Sequence, residues 1–358
     1  MIDFNEELKV IGEYKTVPLA KGVQRPPMPK RNTPISPLEN YKRFIKRDKP
    51  IWTPTGSDFI TFIPRIIPDN VARGFVFDSD PIDNVKEAGG KDMFGVEWEF
   101  VPVVGGSMVR PGNPLKIPDI TKWEEYLEFP DLSAYDWKGS VERNRHVLFN
   151  DNVTMIWVQT GLFERLISFM EFENAALALI DEDQQDYVHS LMDRLCVFYD
   201  EYFDYLKKYY DVNVIYFHDD WGSQRAPFFS RATCEEMIMP YLKRVCESAH
   251  KRDIFIDFHS CGMVEPLLPC MIEAGCDTWS GQPMNDKLKM LCLYGDRITL
   301  NLSPYAAFSA APEELTKATE EFLSTYGDYI SSIIISPMMA TSDMYEMVYR
   351  FSRKKLAE

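Results

Sequence analysis

No stretch of this sequence is apolar for long enough to cross a membrane. A membrane-spanning helix needs about 18 to 20 successive apolar residues, and the 358 residues contain no such run. Residues 1–7 also lack the basic start and the apolar stretch of a secretory signal. We therefore expect a cytoplasmic protein without a membrane partner.

Basic residues are scarce beside acidic ones, and cysteines are few. The 39 Lys and Arg against 55 Asp and Glu give a formal net charge of −16. A general nucleic-acid binder needs a basic face, so this balance argues against nucleic acid as a partner. Seven cysteines form an odd set in a long chain without a secretory signal. That indicates reduced thiols rather than a disulfide framework.

The sequence also lacks internal repeats, low-complexity tracts and a glycine-rich phosphate-binding fingerprint. What it has is an alternation of strand-like and helix-like segments with short loops, which is typical of parallel strands joined by right-handed crossovers. This alternation predicts an α/β fold, namely a (βα)8 TIM barrel. Seven strands are predicted at 50–54, 154–159, 212–217, 254–258, 276–280, 298–302 and 330–335, with an eighth within 75–101.

Two segments do not fit the alternation. Residues 1–37 carry six prolines between positions 18 and 37, which predicts an extended proline-rich arm. The arm is expected to lie as a strap on a single barrel domain of residues 38–358, with a contact in a homodimer as the alternative. Residues 75–118 are punctuated by glycines and predict an irregular insertion after the first strand.

One predicted strand ends in a histidine and a thiol. Residues 254–258 are apolar and run directly into His259 and Cys261. These two residues are two positions apart, so on an extended backbone their side chains point to the same side. An imidazole and a thiolate are both zinc ligands. The pair therefore predicts two ligands of a metal site, or alternatively the wall of a pocket without metal.

A second predicted strand also ends in polar residues. Residues 214–217 lead into His218, Asp219 and Asp220, with Trp221 and Gln224 shortly after. Carboxylates at a strand end can orient a histidine, bind a cation or act as acid or base. Barrel enzymes carry their catalytic groups at this end. The alternative is that one Asp caps the next turn and the other is solvated.

Later strand ends give weaker signals. Trp279 and Gln282 follow one predicted strand, Tyr305 follows the next, and Met338 follows the last. Because the carboxyl ends of parallel strands lie on one side of a barrel, all four are expected to rim the same pocket. Trp52, Trp221, Phe258 and Trp279 are candidates for aromatic walls of this pocket, with packing in the core as the favoured alternative.

Six stretches of the sequence, taken together, resemble the uroporphyrinogen decarboxylase superfamily, and most closely its corrinoid-dependent methyltransferase branch. They run in family order from the insertion to the predicted fifth strand: 90–96 (GKDMFGV), 219–224 (DDWGSQ), 240–243 (PYLK), 249–251 (AHK), 259–262 (HSCG) and 272–277 (IEAGCD). The resemblance implies a (βα)8 barrel with a pocket at the carboxyl ends of its strands.

The resemblance also implies a metal and a direction of reaction. In the branch that methylates thiols, zinc is held by a His-x-Cys pair and by a cysteine at the end of a late strand. His259 and Cys261 match the pair, whereas the late strand here continues into Ser336, Pro337 and Met338 without a cysteine. This departure favours the demethylating direction, with zinc as a possible cofactor held by His259 and Cys261.

We therefore expect a methyltransferase that moves a methyl group between a small methylated substrate and the cobalt of a separate corrinoid protein. The substrate is expected to be an aromatic methyl ether (O-demethylation), and the corrinoid is expected on the partner protein. A departing oxygen needs a proton or a Lewis acid. The catalytic candidates are Asp219, Asp220, His218 and His259; the substrate-binding candidates are Trp221, Gln224, Trp279, Gln282, Tyr305 and Met338.

Three alternatives remain at this point. The first is a methyl-corrinoid:thiol methyltransferase that uses zinc. The second is a decarboxylase of the uroporphyrinogen type, although residues 53–58 read TPTGSD where that branch has arginines for a polycarboxylate. The third is a barrel that binds a ligand or the corrinoid protein without catalysis.

Overall fold

The computed structural model describes residues 2–103, 105–304, 311–336 and 341–357. Within them the strands are β1 (Val10–Tyr14), β2 (Met28–Arg31), β3 (Phe59–Phe62), β4 (Gly89–Lys91), β5 (Glu97–Val101), β6 (Gly106–Val109), β7 (Val153–Val158), β8 (Val214–His218), β9 (Phe255–Ser260), β10 (Thr278–Gly281), β11 (Thr299–Leu302) and β12 (Ile333–Ile335). Seven of them form one curled sheet in the order β3-β7-β8-β9-β10-β11-β12. All neighbours in this sheet are parallel. The fold is therefore TIM-barrel-like α/β, as the sequence predicted.

Helices follow the strands and cover the outer face of the sheet. They are α1 (Phe4–Glu7), α2 (Pro37–Ile45), α3 (Pro68–Arg73), α4 (Asn84–Glu87), α5 (Trp123–Tyr126), α6 (Trp137–Asn144), α7 (Leu162–Met170), α8 (Phe172–Ala178), α9 (Gln185–Tyr210), α10 (Arg231–Met237), α11 (Met239–His250), α12 (Leu268–Ala274), α13 (Lys287–Tyr294), α14 (Pro312–Tyr326) and α15 (Ser342–Lys355). None of these helices is both long and apolar enough to span a bilayer.

The inner face of the sheet changes from apolar to polar along the strands. Near the amino ends, Phe59, Met155 and Val214 belong to one buried cluster that Tyr41 and Phe44 of α2 close from below. Side chains of a strand alternate between its two faces. The same inward face therefore carries the residues that lie two and four positions further along each strand, and these include His218 and His259.

The first strand lies later than the sequence predicted. Residues 50–54 are irregular, and the first strand of the sheet is β3. Pro54 has no N–H, and Asn40 and Ser352 side chains take the N–H groups of Ile51 and Thr53. The backbone carbonyl of Pro54 alone continues the ladder, accepting from the N–H of Ile335 on β12 at 2.9 Å. Residues 50–54 thus meet the far edge of the sheet without forming a strand.

The insertion does not supply an eighth barrel strand, which corrects the prediction for residues 75–101. Its strands β4, β5 and β6 pair antiparallel with one another in a separate sheet. Trp98 of β5 explains its docking, because its indole donates to Asp92 at 3.0 Å and its ring lies 4.7 Å below the Arg73 guanidinium. Arg165 of α7 also binds Asp92, at 3.0 Å. The insertion is therefore pinned to the barrel by buried polar contacts.

The proline-rich arm packs on the last helix of the chain. Its strands β1 and β2 pair antiparallel. Glu7 accepts hydrogen bonds from Tyr349 at 2.7 Å and from Arg353 at 3.1 and 3.2 Å, and the Arg31 guanidinium lies over the Tyr345 ring at 4.3 Å. The Ser36 hydroxyl accepts from the N–H of Glu39 and caps the start of α2. The alternative of a dimer contact stays a prediction.

Candidate active site

Four side chains with metal-ligating atoms meet where β8 and β9 end. His218, Asp220, His259 and Cys261 each place a nitrogen, oxygen or sulfur atom within 4.8 Å of the others. His218 and His259 are register partners on the two parallel strands, and their rings lie 4.8 Å apart in a T-shaped arrangement. The two strand ends that the sequence singled out are thus brought together into one cluster.

The carboxylate of Asp220 organises the cluster. Its Oδ1 accepts from His218 Nε2 at 2.9 Å and from the backbone N–H of Cys261 at 2.6 Å. Burial would raise the pKa of Asp220, but the neighbouring His218 charge and hydrogen bond hold it well below its usual range. Burial would likewise lower the pKa of His218, yet Glu164 and Asp220 raise it well above its ordinary value. The two neighbouring carboxyl groups therefore favour the protonated form of His218.

His259 favours the neutral form, and its two ring nitrogens contact Ser280 and Cys261. Burial and the charge of His218 lower the pKa of His259 to about 3. Its Nδ1 lies 2.6 Å from the carbonyl oxygen of Ser280. Because a carbonyl only accepts, Nδ1 carries the proton and Nε2 presents its lone pair. Nε2 faces the sulfur of Cys261 at 3.6 Å, and burial raises the pKa of that thiol.

This donor set fits zinc. Imidazole nitrogen, thiolate sulfur and carboxylate oxygen are its usual ligands, and an N–H···O=C contact on the far nitrogen is the usual way to orient a ligating histidine. The His259 contact to Ser280 has this form. The sequence predicted two ligands, His259 and Cys261. The structure adds Asp220 and His218 within the same 4.8 Å.

Sequence reasoning missed two residues beside the cluster, Glu164 and Arg73. Glu164 Oε1 accepts from Arg73 at 2.9 Å, and its Oε2 lies 3.9 Å from His218 Nδ1. Arg73 Nη2 lies 3.4 Å from the same ring nitrogen. In the sequence Glu164 looks like an ordinary residue of an amphipathic helix, and Arg73 looks like a residue at a helix end. Only the fold brings them to His218.

Asp219, a predicted catalytic residue, points away from the cluster toward α7, and its catalytic role stays a prediction. It is fully buried and accepts from the backbone N–H groups of Phe163 at 3.2 Å and Glu164 at 2.8 Å, and from the Trp221 indole at 2.9 Å. Burial raises the pKa of Asp219 to about 7. Its carboxyl group thus holds the start of α7 and acts on the cluster only by positioning Glu164.

The predicted aromatic walls are part of the core. Trp221 and Trp279, proposed as substrate-binding residues, are completely buried, as are Trp52 and Phe258. Trp221 packs on Phe258 with ring centroids 4.7 Å apart, and the Lys287 ammonium lies 3.7 Å over the Trp279 ring. Strand alternation explains the positions of Phe258 on β9 and Trp279 on β10, because each is a neighbour of inward-facing residues and so points outward to the helices.

The remaining substrate-binding candidates take different positions. Gln282 is partly buried, and its Oε1 accepts from the backbone N–H of Gly262 at 2.8 Å, so it fixes the loop after the His-x-Cys pair. Gln224 is exposed in the loop that follows β8. Tyr305 and Met338 lie outside the residues that the structure describes, and their roles stay predictions.

Two aromatic residues do line the barrel interior. Trp157 on β7 and Tyr216 on β8 are register partners, and their rings stack at 4.6 Å. Tyr216 stacks in turn on His259 at 5.2 Å. All three are partly exposed although they lie on the inner face of the sheet, so the interior is open beside them. The sequence did carry a signal for them: Trp157 lies two residues before Gln159, and Tyr216 lies two residues before His218. Residues two positions apart on a strand share one face.

Comparisons with known proteins agree with this architecture. Residues 91–338, well over half of the chain, match the family model described as uroporphyrinogen decarboxylase (URO-D). Among solved structures, the chain is similar to a methyltransferase from Methanosarcina mazei, with a TM-score of 0.58 and 14% identity over 90% of this chain and 100% of the other. At that identity the similarity shows a shared fold alone.

Other similarities are weaker. A sugar phosphate isomerase/epimerase from Parabacteroides distasonis matches with a TM-score of 0.33 and 10% identity over 65% of this chain and 79% of the other, which is too low to carry an argument. The comparison with curated proteins gave no match. The family match confirms the resemblance seen in the sequence: the chain belongs to the uroporphyrinogen decarboxylase family, and this membership supports an enzymatic role.

Proposed function

We propose that the protein is a methyltransferase that takes the methyl group of a small aromatic methyl ether and passes it to the cobalt of a separate corrinoid protein. The observation that carries the proposal is the cluster of His218, Asp220, His259 and Cys261 at the open end of the barrel. It combines a donor set for zinc with a histidine, His218, whose neighbouring carboxyl groups favour its protonated form. These are the two means by which an ether oxygen can be made a leaving group.

The proposed roles divide between two sides of the cluster. His259, Cys261 and Asp220 are the three ligands that would hold zinc, which leaves one position open as in catalytic zinc sites. A bound zinc would supply Lewis-acid assistance to the ether oxygen. His218 holds its proton between Asp220 at 2.9 Å and Glu164 at 3.9 Å and donates it to the departing oxygen.

The reaction balances on these groups. The carbon–oxygen bond breaks and its electron pair stays on oxygen, the methyl group is accepted by cobalt(I) of the partner, and the proton of His218 completes the phenol product. Arg73 and Glu164 keep His218 in place, and water returns its proton. The cobalt in this proposal is that of a separate corrinoid protein, which is therefore a required partner.

Metal content is the first test. We expect near-stoichiometric zinc in the wild type and its loss in the double variant His259→Ala, Cys261→Ala, measured by inductively coupled plasma mass spectrometry. The matched control is His250→Ala, Cys292→Ala, which removes a histidine and a thiol that lie on α11 and α13 instead of in the cluster. Equal zinc in the cluster variant and the control would refute the ligand assignment.

Methyl transfer is the second test, with 2-methoxyphenol as donor and free cob(I)alamin as acceptor. General acid catalysis contributes about 10²- to 10⁴-fold, so His218→Gln should lose activity within that range. An unchanged rate would exclude the proton-donor role. Methylation of a thiol from methylcobalamin, without ether demethylation, would instead support the reverse direction, which the His259–Cys261 pair also favours as a second candidate function.

A further inference from the structure

The side chain of Arg73 links the insertion to the metal-ligating cluster. Arg73 is the last residue of α3, and its Nη1 donates to Glu164 Oε1 at 2.9 Å. Its Nη2 lies 3.4 Å from His218 Nδ1. The same guanidinium lies over the ring of Trp98, a residue of β5, at 4.7 Å from the ring centroid. Arg73 therefore contacts the cluster and the insertion at the same time.

Hydrogen bonds alone fix this guanidinium incompletely. Arg73 is buried, and its Nε has no hydrogen-bond partner among the residues that the structure describes. Its contact with His218 is long at 3.4 Å, so the bond to Glu164 is its one side-chain hydrogen bond of ordinary length. The face of the Trp98 ring covers the guanidinium, and a cation over an aromatic face is attracted to it. Without that ring, Arg73 would keep a single firm attachment.

A second aromatic residue of β5 contacts the backbone at the same point. Gly74 directly follows Arg73 and has a φ of +81°, and an added Cβ atom there would lie 2.8 Å from the Phe100 ring. Carbon atoms pack at about 3.5–4.0 Å, so the Phe100 ring lies directly against the Gly74 backbone. Trp98 and Phe100 are two positions apart and point to the same side of β5. Strand β5 therefore holds both the side chain and the backbone at the end of α3.

Helix α7 in turn fixes Trp98. The Trp98 indole donates to Asp92 at 3.0 Å, and Asp92 also accepts from Arg165 of α7 at 3.0 Å. Arg165 directly follows Glu164, the residue that binds Arg73. The contacts thus form a closed ring that runs from Arg73 through β5 and α7 back to Arg73. A closed network of buried polar contacts holds each member in one orientation.

We infer that Trp98 is a positioning residue for the cluster: it fixes Arg73, and Arg73 holds His218 in the geometry that the reaction requires. Glu164 is held by the same guanidinium. The insertion thus acts on the cluster through Arg73. This inference rests on the proposed function for the role of His218 as proton donor. It adds an element outside the barrel on which the reaction depends.

The first test measures methyl transfer from 2-methoxyphenol to cob(I)alamin in three variants. A misplacement of about 1 Å can cost about 100-fold in rate, so Trp98→Leu should lower kcat about 10- to 100-fold and change KM less than about twofold. Trp98→Phe keeps an aromatic face against Arg73 and should retain at least about a third of the wild-type kcat. The matched control is Trp123→Leu, since Trp123 is also buried but its ring contacts Phe129. Equal losses in Trp98→Leu and Trp123→Leu would overturn the inference.

A double-variant cycle tests whether Trp98 acts through Arg73. Arg73→Gln removes the guanidinium, so adding Trp98→Leu to it should lower kcat by less than about a further twofold. Losses that multiply would show two independent effects and would refute the positioning role.

Nuclear magnetic resonance tests the inference without corrinoid or substrate. Protons of a guanidinium over an aromatic face are shielded, so the Nε–H signal of Arg73, assigned by its loss in Arg73→Lys, should lie upfield in the wild type. In Trp98→Leu this signal and the ring signals of His218 should both shift, and in Trp123→Leu neither should. A His218 ring that is insensitive to Trp98→Leu would contradict the inference. If Trp98→Leu does not fold, the wild-type signal decides, because an Arg73 Nε–H without the upfield shift excludes the contact.

Failure of this inference can be told apart from failure of the proposed function. A wild type that transfers no methyl group would refute the reaction, and the signals of Arg73 and His218 would still decide the positioning role. Methyl transfer that Trp98→Leu does not slow would refute the positioning role and leave the reaction standing.

Discussion

Asp219 and Asp220 are adjacent in sequence, but their surroundings give them opposite properties. Asp219 points outward to the start of α7, where burial raises its pKa to about 7. Asp220 points into the barrel, where His218 holds its pKa well below the usual range. One carboxyl group therefore serves the fold and the other serves the cluster. The difference follows from strand alternation.

Substitution should separate these two roles. Asp219→Asn would turn an amide N–H toward a site that holds three donors, so we expect a loss of about 1–3 kcal/mol in the free energy of unfolding. Urea denaturation measures it. Asp220→Asn should leave stability closer to the wild type and lose zinc and methyl transfer. A stable Asp219→Asn protein without activity would contradict this division.

At the scale of elements, a short turn replaces the expected first strand. Asp58 ends the turn Gly56–Asp58 and accepts from the Thr55 N–H at 2.7 Å and the Trp52 indole at 3.2 Å. These contacts tie the irregular residues 50–54 to β3. Burial raises the pKa of Asp58 from 3.8 to about 7, although its hydrogen bonds and nearby Arg31 oppose the shift.

This pKa predicts how stability depends on pH. A carboxyl group with a raised pKa in the folded state keeps a proton that the unfolded chain has lost, so stability falls as pH rises from about 4 to 7. Three pKa units correspond to about 4 kcal/mol, and we expect the wild type to lose on the order of 1–4 kcal/mol relative to Asp58→Asn across this range. The exposed Asp48→Asn is the control. Parallel pH curves for the wild type and Asp58→Asn would refute the shift.

At the scale of the whole molecule, hydrogen bonds of residues 53 and 54 join the two edges of the sheet within the part of the chain that the structure describes. Beside the Ile335 N–H to Pro54 carbonyl bond, the hydroxyl of Thr53 donates to the carbonyl oxygen of Ile330 at 2.6 Å. Thr53 is completely buried, so no water can take the place of its hydroxyl group in this hydrogen bond. By contrast, the Thr61 hydroxyl on β3 is buried without a partner.

A matched pair of substitutions tests this closure. Thr53→Val keeps the shape but leaves the Ile330 carbonyl unpaired, which should cost about 1–3 kcal/mol of unfolding free energy. Thr61→Val removes a hydroxyl that has no partner and should be neutral or slightly stabilising. Chemical denaturation compares the two. If Thr61→Val were as destabilising as Thr53→Val, the closing bond would not be the cause.

Much of the fold follows from local pattern. The parallel strands from Val153 to Ile335 were predictable because each is a short apolar run bounded by turn residues, with helical spacing between runs. Residues 50–54 have the same apolar character and were misassigned. Their N–H groups are taken by side chains of α2 and α15, which no local pattern reveals. The antiparallel sheet of the insertion was likewise hidden, since strand pairing depends on partners distant in sequence.

The candidate site, like the fold, was predictable from the sequence only in part. The sequence alone determined the parallel barrel and the pairing of two polar strand ends, because alternation and parallel order fix where His218, Asp220, His259 and Cys261 point. Only the tertiary structure decided that Asp219, Trp221 and Trp279 face the helices. It also brought Glu164 and Arg73 to His218. Those contacts join elements far apart in the chain, and burial and charge act through space.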